Sequence, residues 1–177
     1  MMRSVAITVF ALLLTACRSS APLPAHPAER TADSALVDTE VARVLDDWHD
    51  AAARADEERY FAHFAEGAVF LGTDATERWT VPQFRAYAHP HFAKGKAWTM
   101  RATRRDITFA WNPAPGVATA WFDEELESLS LGVARGSGVL VRDAKSGAWK
   151  IAQYNLSIPI PNDRFKDVKA LLEGAGR

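Results

Sequence analysis

The apolar residues of this chain keep a helical spacing first and a strand spacing afterwards, and that order limits the fold more than any other feature. Val37, Val41, Val44, Leu45, Trp48 and Ala52 recur at the intervals of three and four that line one face of a helix. Asp38, Glu40, Arg43, Asp46 and Asp47 fall on the wet side, so the helix is amphipathic and needs a partner layer. Asp33 or Ser34 is placed to cap its start by accepting from orphaned backbone donors. Later the pattern turns strand-like over 98–111, 117–129, 133–142 and 149–158. Turn chemistry divides these segments, at 112–116, at Leu131-Gly132 and at 143–147. Strands joined through short turns form an antiparallel meander. Helices first and strands afterwards predict an α+β domain with the helices layered on one face of the sheet.

Two shorter helices are expected in between. Asp56 caps the first, Glu57 and Glu58 sit near its positive end, and Gly67 supplies the stop after Tyr60, Phe61 and Phe64. A strand over 68–71 follows, and Gly72-Thr73-Asp74 turns the chain. Thr80-Val81-Pro82-Gln83 reads as a capping box that opens a third helix, running to about His91 and burying Phe84 and Tyr87.

The first residues concern address rather than fold. Met1-Met2-Arg3 is a basic start, and Val5 to Ala16 is apolar except for Thr8 and Thr15. That run is too short for a bilayer core, which takes ~20 residues, and has the proportions of a signal peptide. It ends in Leu14-Thr15-Ala16-Cys17, which resembles the bacterial lipobox. The resemblance implies cleavage before Cys17, lipidation of that cysteine and attachment to a membrane. Arg18 in place of an aspartate favours, by analogy with sorting in Gram-negative cells, the periplasmic face of the outer membrane. Pro22, Pro24 and Pro27 among small polar residues make the next stretch a tether. The expected organisation is a signal peptide over 1–16, lipidated Cys17 and tether over 17–33, one domain over 34–162, and a tail with helical potential over 163–177.

Composition excludes several functions. Without Arg3 the chain carries 20 basic against 22 acidic side chains, with no basic run for nucleic acid. The single cysteine allows no internal disulfide and no cysteine-based metal cluster. No HExxH, GxSxG or phosphate-loop pattern is present, and Arg135-Gly136-Ser137-Gly138 is read as a place where the sheet bends. Neither a metal nor a cofactor is expected; His89-Pro90-His91 lacks a third ligand.

Three motifs carry a family likeness: Phe70-Leu71-Gly72-Thr73-Asp74 with Glu77-Arg78-Trp79 after it, Ala120-Trp121-Phe122-Asp123-Glu124, and Trp149-Lys150-Ile151-Ala152-Gln153-Tyr154-Asn155-Leu156-Ser157. With the order of elements, they resemble the SnoaL-like branch of the nuclear transport factor 2-like superfamily, over about Leu36 to Pro161. The resemblance implies a cone, in which a curved antiparallel sheet (the cystatin-like roll) wraps the helices and opens on a pocket. It also implies a homodimer through the outer sheet face. That cone houses isomerases, dehydratases, hydrolases and binding proteins, so the reaction does not follow from the fold.

Strand alternation nominates the pocket residues. Trp149, Ile151, Gln153 and Asn155 share one face, taken as inner, and on the second long strand, 117–129, Trp121 and Asp123 are expected to point inward. Asp123 is then the general-base candidate, raised by desolvation, or else the partner of Arg135 in an ion pair. Asp74, Glu77 and Arg78 at the mouth either orient a polar ligand, with Arg78 gripping a carboxylate, or form a turn and a surface salt bridge. Trp48 and Trp79 pack the core or stack on a ligand. His49 borders the pocket, as a satisfied buried histidine or as hydrogen-bonding help to a base. The favoured expectation is a pocket for a small apolar molecule or a partner, without catalysis. The alternatives are a cofactor-free isomerase, dehydratase or hydrolase, and a scaffold with a filled cone.

Overall fold

The computed structural model describes residues 32–111 and 118–175. The leader, Cys17, nearly all of the tether and the turn at 112–116 lie outside the described residues. In order the chain forms α1 (Ala32–Ala53), α2 (Glu57–Ala62), β1 (Phe64–Leu71), β2 (Arg78–Thr80), α3 (Val81–Phe92), β3 (Met100–Trp111), β4 (Ala118–Ser128), β5 (Gly132–Arg142), β6 (Trp149–Ser157), a short 3-10 turn (Asn162–Arg164) and α4 (Phe165–Ala175).

Helix α1 buries Val37, Val41, Leu45, Trp48 and Ala52, so the apolar stripe faces the sheet. It begins at Ala32, which puts Asp33 and Ser34 inside the first turn rather than at the cap. Asp56 caps α2, its side chain accepting from the Arg59 backbone N–H at 3.1 Å. Gly67 does not stop that helix. It lies within β1 at φ 72°, where the pairing with β6 shifts register, and a left-handed backbone there suits only glycine. The capping box opens α3 as its sequence dictates: the Thr80 backbone N–H donates to Gln83 Oε1 at 2.9 Å.

The six strands lie in the order β2-β1-β6-β5-β4-β3. Strands β3 to β6 form the antiparallel meander. The sheet is mixed rather than wholly antiparallel, because β1 pairs parallel to β6. The chain leaves β1 through β2 and α3 and returns only at its far end, which is the long crossover a parallel pair requires. The helices cover one face, α1 against β3 and β6 and α3 against β1 and β2.

Two strands present faces other than the expected ones. On β4, Ala118, Ala120, Phe122, Glu124 and Leu126 are buried, whereas Trp121, Asp123 and Glu125 are exposed. The inward set buries four apolar side chains and one fully partnered carboxylate, a lower-energy choice than sinking both Asp123 and Glu125. On β6, Trp149 and Ile151 point inward as expected, but Ala152 is a bulge: Ile151 pairs with Leu140 and Gln153 with Val139. The extra residue resets the alternation, so Tyr154 turns in while Gln153 and Asn155 turn out.

Candidate functional site

A cavity of about 320 Å³ opens between the helices and the inner face of the sheet. Rings from six elements form most of its walls. Trp48 comes from α1, Tyr60 from α2, Phe70 from β1, Trp79 from β2, Phe84 from α3 and Tyr154 from β6, with Trp98 ahead of β3. Four of the rings stack nearly parallel: Phe70 on Phe84 at 3.9 Å between centroids and 15°, Trp79 on Phe84 at 5.6 Å and 5°, and Phe70 on Tyr154 at 5.6 Å and 17°. Contacts of this kind add about 0.5–1.5 kcal/mol each beyond area burial and hold the walls in place. The mouth is polar and open, with Thr73, Glu77, Tyr87, His91 and Ser130 around it.

One buried polar network stands at the edge of this cavity. Glu124 is 1% exposed, and its two oxygens are fully engaged. His49 Nε2 lies 2.8 Å from Oε1, the Tyr154 hydroxyl donates to the same oxygen at 3.1 Å, and Arg105 Nε donates to Oε2 at 2.9 Å. A carboxylate can only accept, so the His49 proton is on Nε2 and the free Nδ1 carries the lone pair when the ring is neutral. Arg105 stands opposite Glu124 in the β3–β4 register and reaches α1 as well, through Ala42 O at 3.2 Å and Asp46 Oδ1 at 2.8 Å. Burial pushes the Glu124 carboxyl up. The hydrogen bond and charge of His49, with those of Arg105, outweigh it and hold the group below its ordinary value. Burial, and then the Glu124 charge, push the Tyr154 phenol well above its usual range.

Gly136 makes this meeting geometrically available. A Cβ there would lie 2.2 Å from the Tyr154 hydroxyl and 2.8 Å from Glu124 Oε1. At Gly138 it would lie 2.2 Å from the backbone oxygen of Gln153. These two glycines therefore serve close approach across β5, a reason more specific than the bend their sequence suggested.

Of the residues nominated from sequence, Trp48, His49, Glu77 and Trp79 line the cavity. Asp123 does not: it is exposed on the outer face, opposite Asp106 and Ser137. Arg135 is outside too and faces Glu125, not Asp123, in the β4–β5 register. Trp121, 45% exposed, and Gln153 and Asn155 share that outer side. Arg78 is exposed beside the half-buried Trp79, and Asp74 closes its own turn by accepting from Thr76. His89 pairs with Glu57 at 2.8 Å, and among the described residues no three His, Cys, Asp or Glu are grouped to hold a metal ion. Sequence reasoning missed Glu124, Arg105 and Tyr154. A signal was present: the set Ala118, Ala120, Phe122, Glu124, Leu126 is the more apolar of the two alternating sets.

Residues 41–161 match the family described as SnoaL-like domain. No curated protein matches the chain. Among solved structures, a nuclear transport factor 2-like protein of unknown function from Pseudomonas putida superposes with a TM-score of 0.57 at 14% identity, covering 73% of this chain and 92% of that one. A protein of unknown function with a cystatin-like fold from Nostoc punctiforme gives 0.54 at 14%, covering 71% and 92%. A nuclear transport factor 2-like family protein from Streptomyces avermitilis, provisionally named a dehydratase, gives 0.54 at 13%, covering 74% and 100%. At these identities the likeness establishes the shared fold.

Proposed function

The chain belongs to the SnoaL-like domain family, and from that premise we propose that it is an exported, lipid-anchored protein whose cavity binds a small molecule without transforming it. The observation that carries the binding reading is the contrast between an open aromatic cavity and a carboxylate with no free oxygen. A volume of about 320 Å³ is at the lower end of ligand pockets, which run ~300–1,000 Å³. Among the described residues the buried indole N–H of Trp48 has no acceptor, and an oxygen on the occupant would supply one. Export and lipidation rest on the Leu14-Thr15-Ala16-Cys17 sequence. Trp121 and Val133, exposed on the outer sheet face, support association of two copies through that face.

Quenching of the intrinsic tryptophan fluorescence by 2-naphthol tests the pocket. Saturable binding to one site, abolished by Ala97→Trp in the cavity wall, is expected. Quenching that never saturates, or that ignores Ala97→Trp, refutes it.

A second reading is favoured by one contact, the His49 Nε2–Glu124 Oε1 hydrogen bond at 2.8 Å. A carboxylate that fixes the tautomer of a cavity-lining histidine makes its Nδ1 a general base, as in proton abstraction ahead of a dehydration or isomerisation. Turnover of an enolisable carbonyl compound that disappears in His49→Gln, while 2-naphthol binding persists, would establish this reading over the first.

A further inference from the structure

Resting on the pocket reading above, we infer that the occupant is an organic cation, a tertiary or quaternary ammonium on a flat, largely apolar body that carries an oxygen acceptor for the Trp48 N–H. Charge decides the sign. No lysine or arginine lines the cavity among the described residues, and the one fixed charge there is the carboxylate of Glu77 at the mouth. Arg78, the residue that would have gripped an anion, is on the exposed side of β2. Glu124 contributes little net field, because Arg105 lies against it.

Glu77 is held in place and left available. Its Oε2 accepts the Asp74 backbone N–H at 3.1 Å, and its carboxyl packs over Gly72, where a Cβ would come within 2.1 Å of that oxygen. Among the described residues it forms no ion pair, so its charge is unspent. Behind it stand aromatic walls, including Trp79, Phe84 and Trp98, whose π faces attract cations. The kind of cation follows from the acceptors. A primary ammonium carries three N–H donors and strong hydration. The groups that could replace that hydration, Glu77, the hydroxyls of Thr73, Tyr87 and Ser130 and the ring of His91, stand at the mouth and not along the ring-lined walls. An alkylated ammonium asks for few or no acceptors and surrenders little hydration, which suits a cavity walled by rings.

Isothermal titration of the purified chain with phenyltrimethylammonium and its neutral carbon isostere, tert-butylbenzene, tests the charge at constant shape. The cation is expected to bind, and Glu77→Gln to weaken it about tenfold while changing the isostere less than twofold. The amide can still accept from Asp74, so an unchanged melting temperature is expected and checks the fold of the variant. Equal weakening of both ligands, no weakening of the cation, or binding of tert-butylbenzene alone overturns the inference and leaves the pocket reading standing. Binding of neither overturns both.

Discussion

Replacing Gly136 by alanine should be among the costliest one-methyl changes in this domain. The new Cβ would lie 2.2 Å from the Tyr154 hydroxyl and 2.8 Å from Glu124 Oε1, both below any normal contact. Two losses add. Overpacking a tight interior costs about 1–3 kcal/mol, and displacing Tyr154 breaks a bond to an ionised acceptor worth about 1.5–3 kcal/mol. Alanine recovers about 0.5–1 kcal/mol of chain entropy relative to glycine, so the net is about 2–5 kcal/mol. For a domain near 150 residues, at about 2–4 °C per kcal/mol, that lowers Tm by roughly 4–20 °C. Thermal unfolding followed by far-ultraviolet circular dichroism measures it, with urea denaturation for the free energy. The double variant Gly136→Ala with Tyr154→Phe sharpens the test. Removing the hydroxyl removes the closest clash, so the pair should cost about 1 kcal/mol less than the sum of the singles. Gly136→Ala within about 0.5 kcal/mol of wild type, or strict additivity in the pair, would refute the close-approach argument.

Adjacent carboxylates on β4 should behave oppositely. Glu124→Gln leaves Arg105 with only the exposed Asp46 as counter-ion and should cost about 3–5 kcal/mol, whereas Asp123→Asn on the outer face should stay within about 0.5 kcal/mol in urea unfolding. His63 is buried enough to sit below its ordinary value of 6.5 in spite of Asp47, so the fold favours the neutral ring. The unfolded chain then binds more protons, and the contribution is complete above about pH 6.5 and lost as pH falls through the depressed folded value. His63→Gln should flatten stability below pH 6.5 in a urea series at stepped pH. Glu124 follows the same direction lower down, its share present above about pH 4.5 and lost in stronger acid, and Glu124→Gln should remove that acid limb. Cys17→Ala should abolish metabolic labelling by palmitate and release the protein from the membrane fraction; retained label would refute the lipobox reading.

How much of this was legible in the sequence depends on which interactions were local. The α1 stripe, the Asp56 cap and the Thr80–Gln83 capping box depend on spacings of a few residues, and the structure has them. The fold followed from their order and from the turns between strands. Strand faces were harder. A bulge is one residue long and reverses every side chain beyond it, so Ala152 sent Gln153 and Asn155 outward although Trp149 and Ile151 point in. On β4 each alternating set carries a carboxylate, Asp123 in one and Glu124 in the other, so charge did not separate them and the bulk of Trp121 favoured the wrong set. The burial of Glu124 is explained by Arg105, His49 and Tyr154, which lie 19, 75 and 30 residues away and come together only in the finished sheet.

Those separations bear on how the chain assembles. Arg105 joins α1 to β3 and β4 in one guanidinium, through partners 63, 59 and 19 residues distant. Such links form only after long loops have closed, so they enter late on the folding path and in a chain whose sheet is slow to organise. A meander that zipped one residue out of step on β4 would turn both Asp123 and Glu125 toward the helices, where Arg105 could face only one of them and the other would be buried with no cation across from it. The polar cluster thereby acts as a proofreader of register: a misaligned sheet carries an uncompensated buried charge, and only the correctly paired one closes around it.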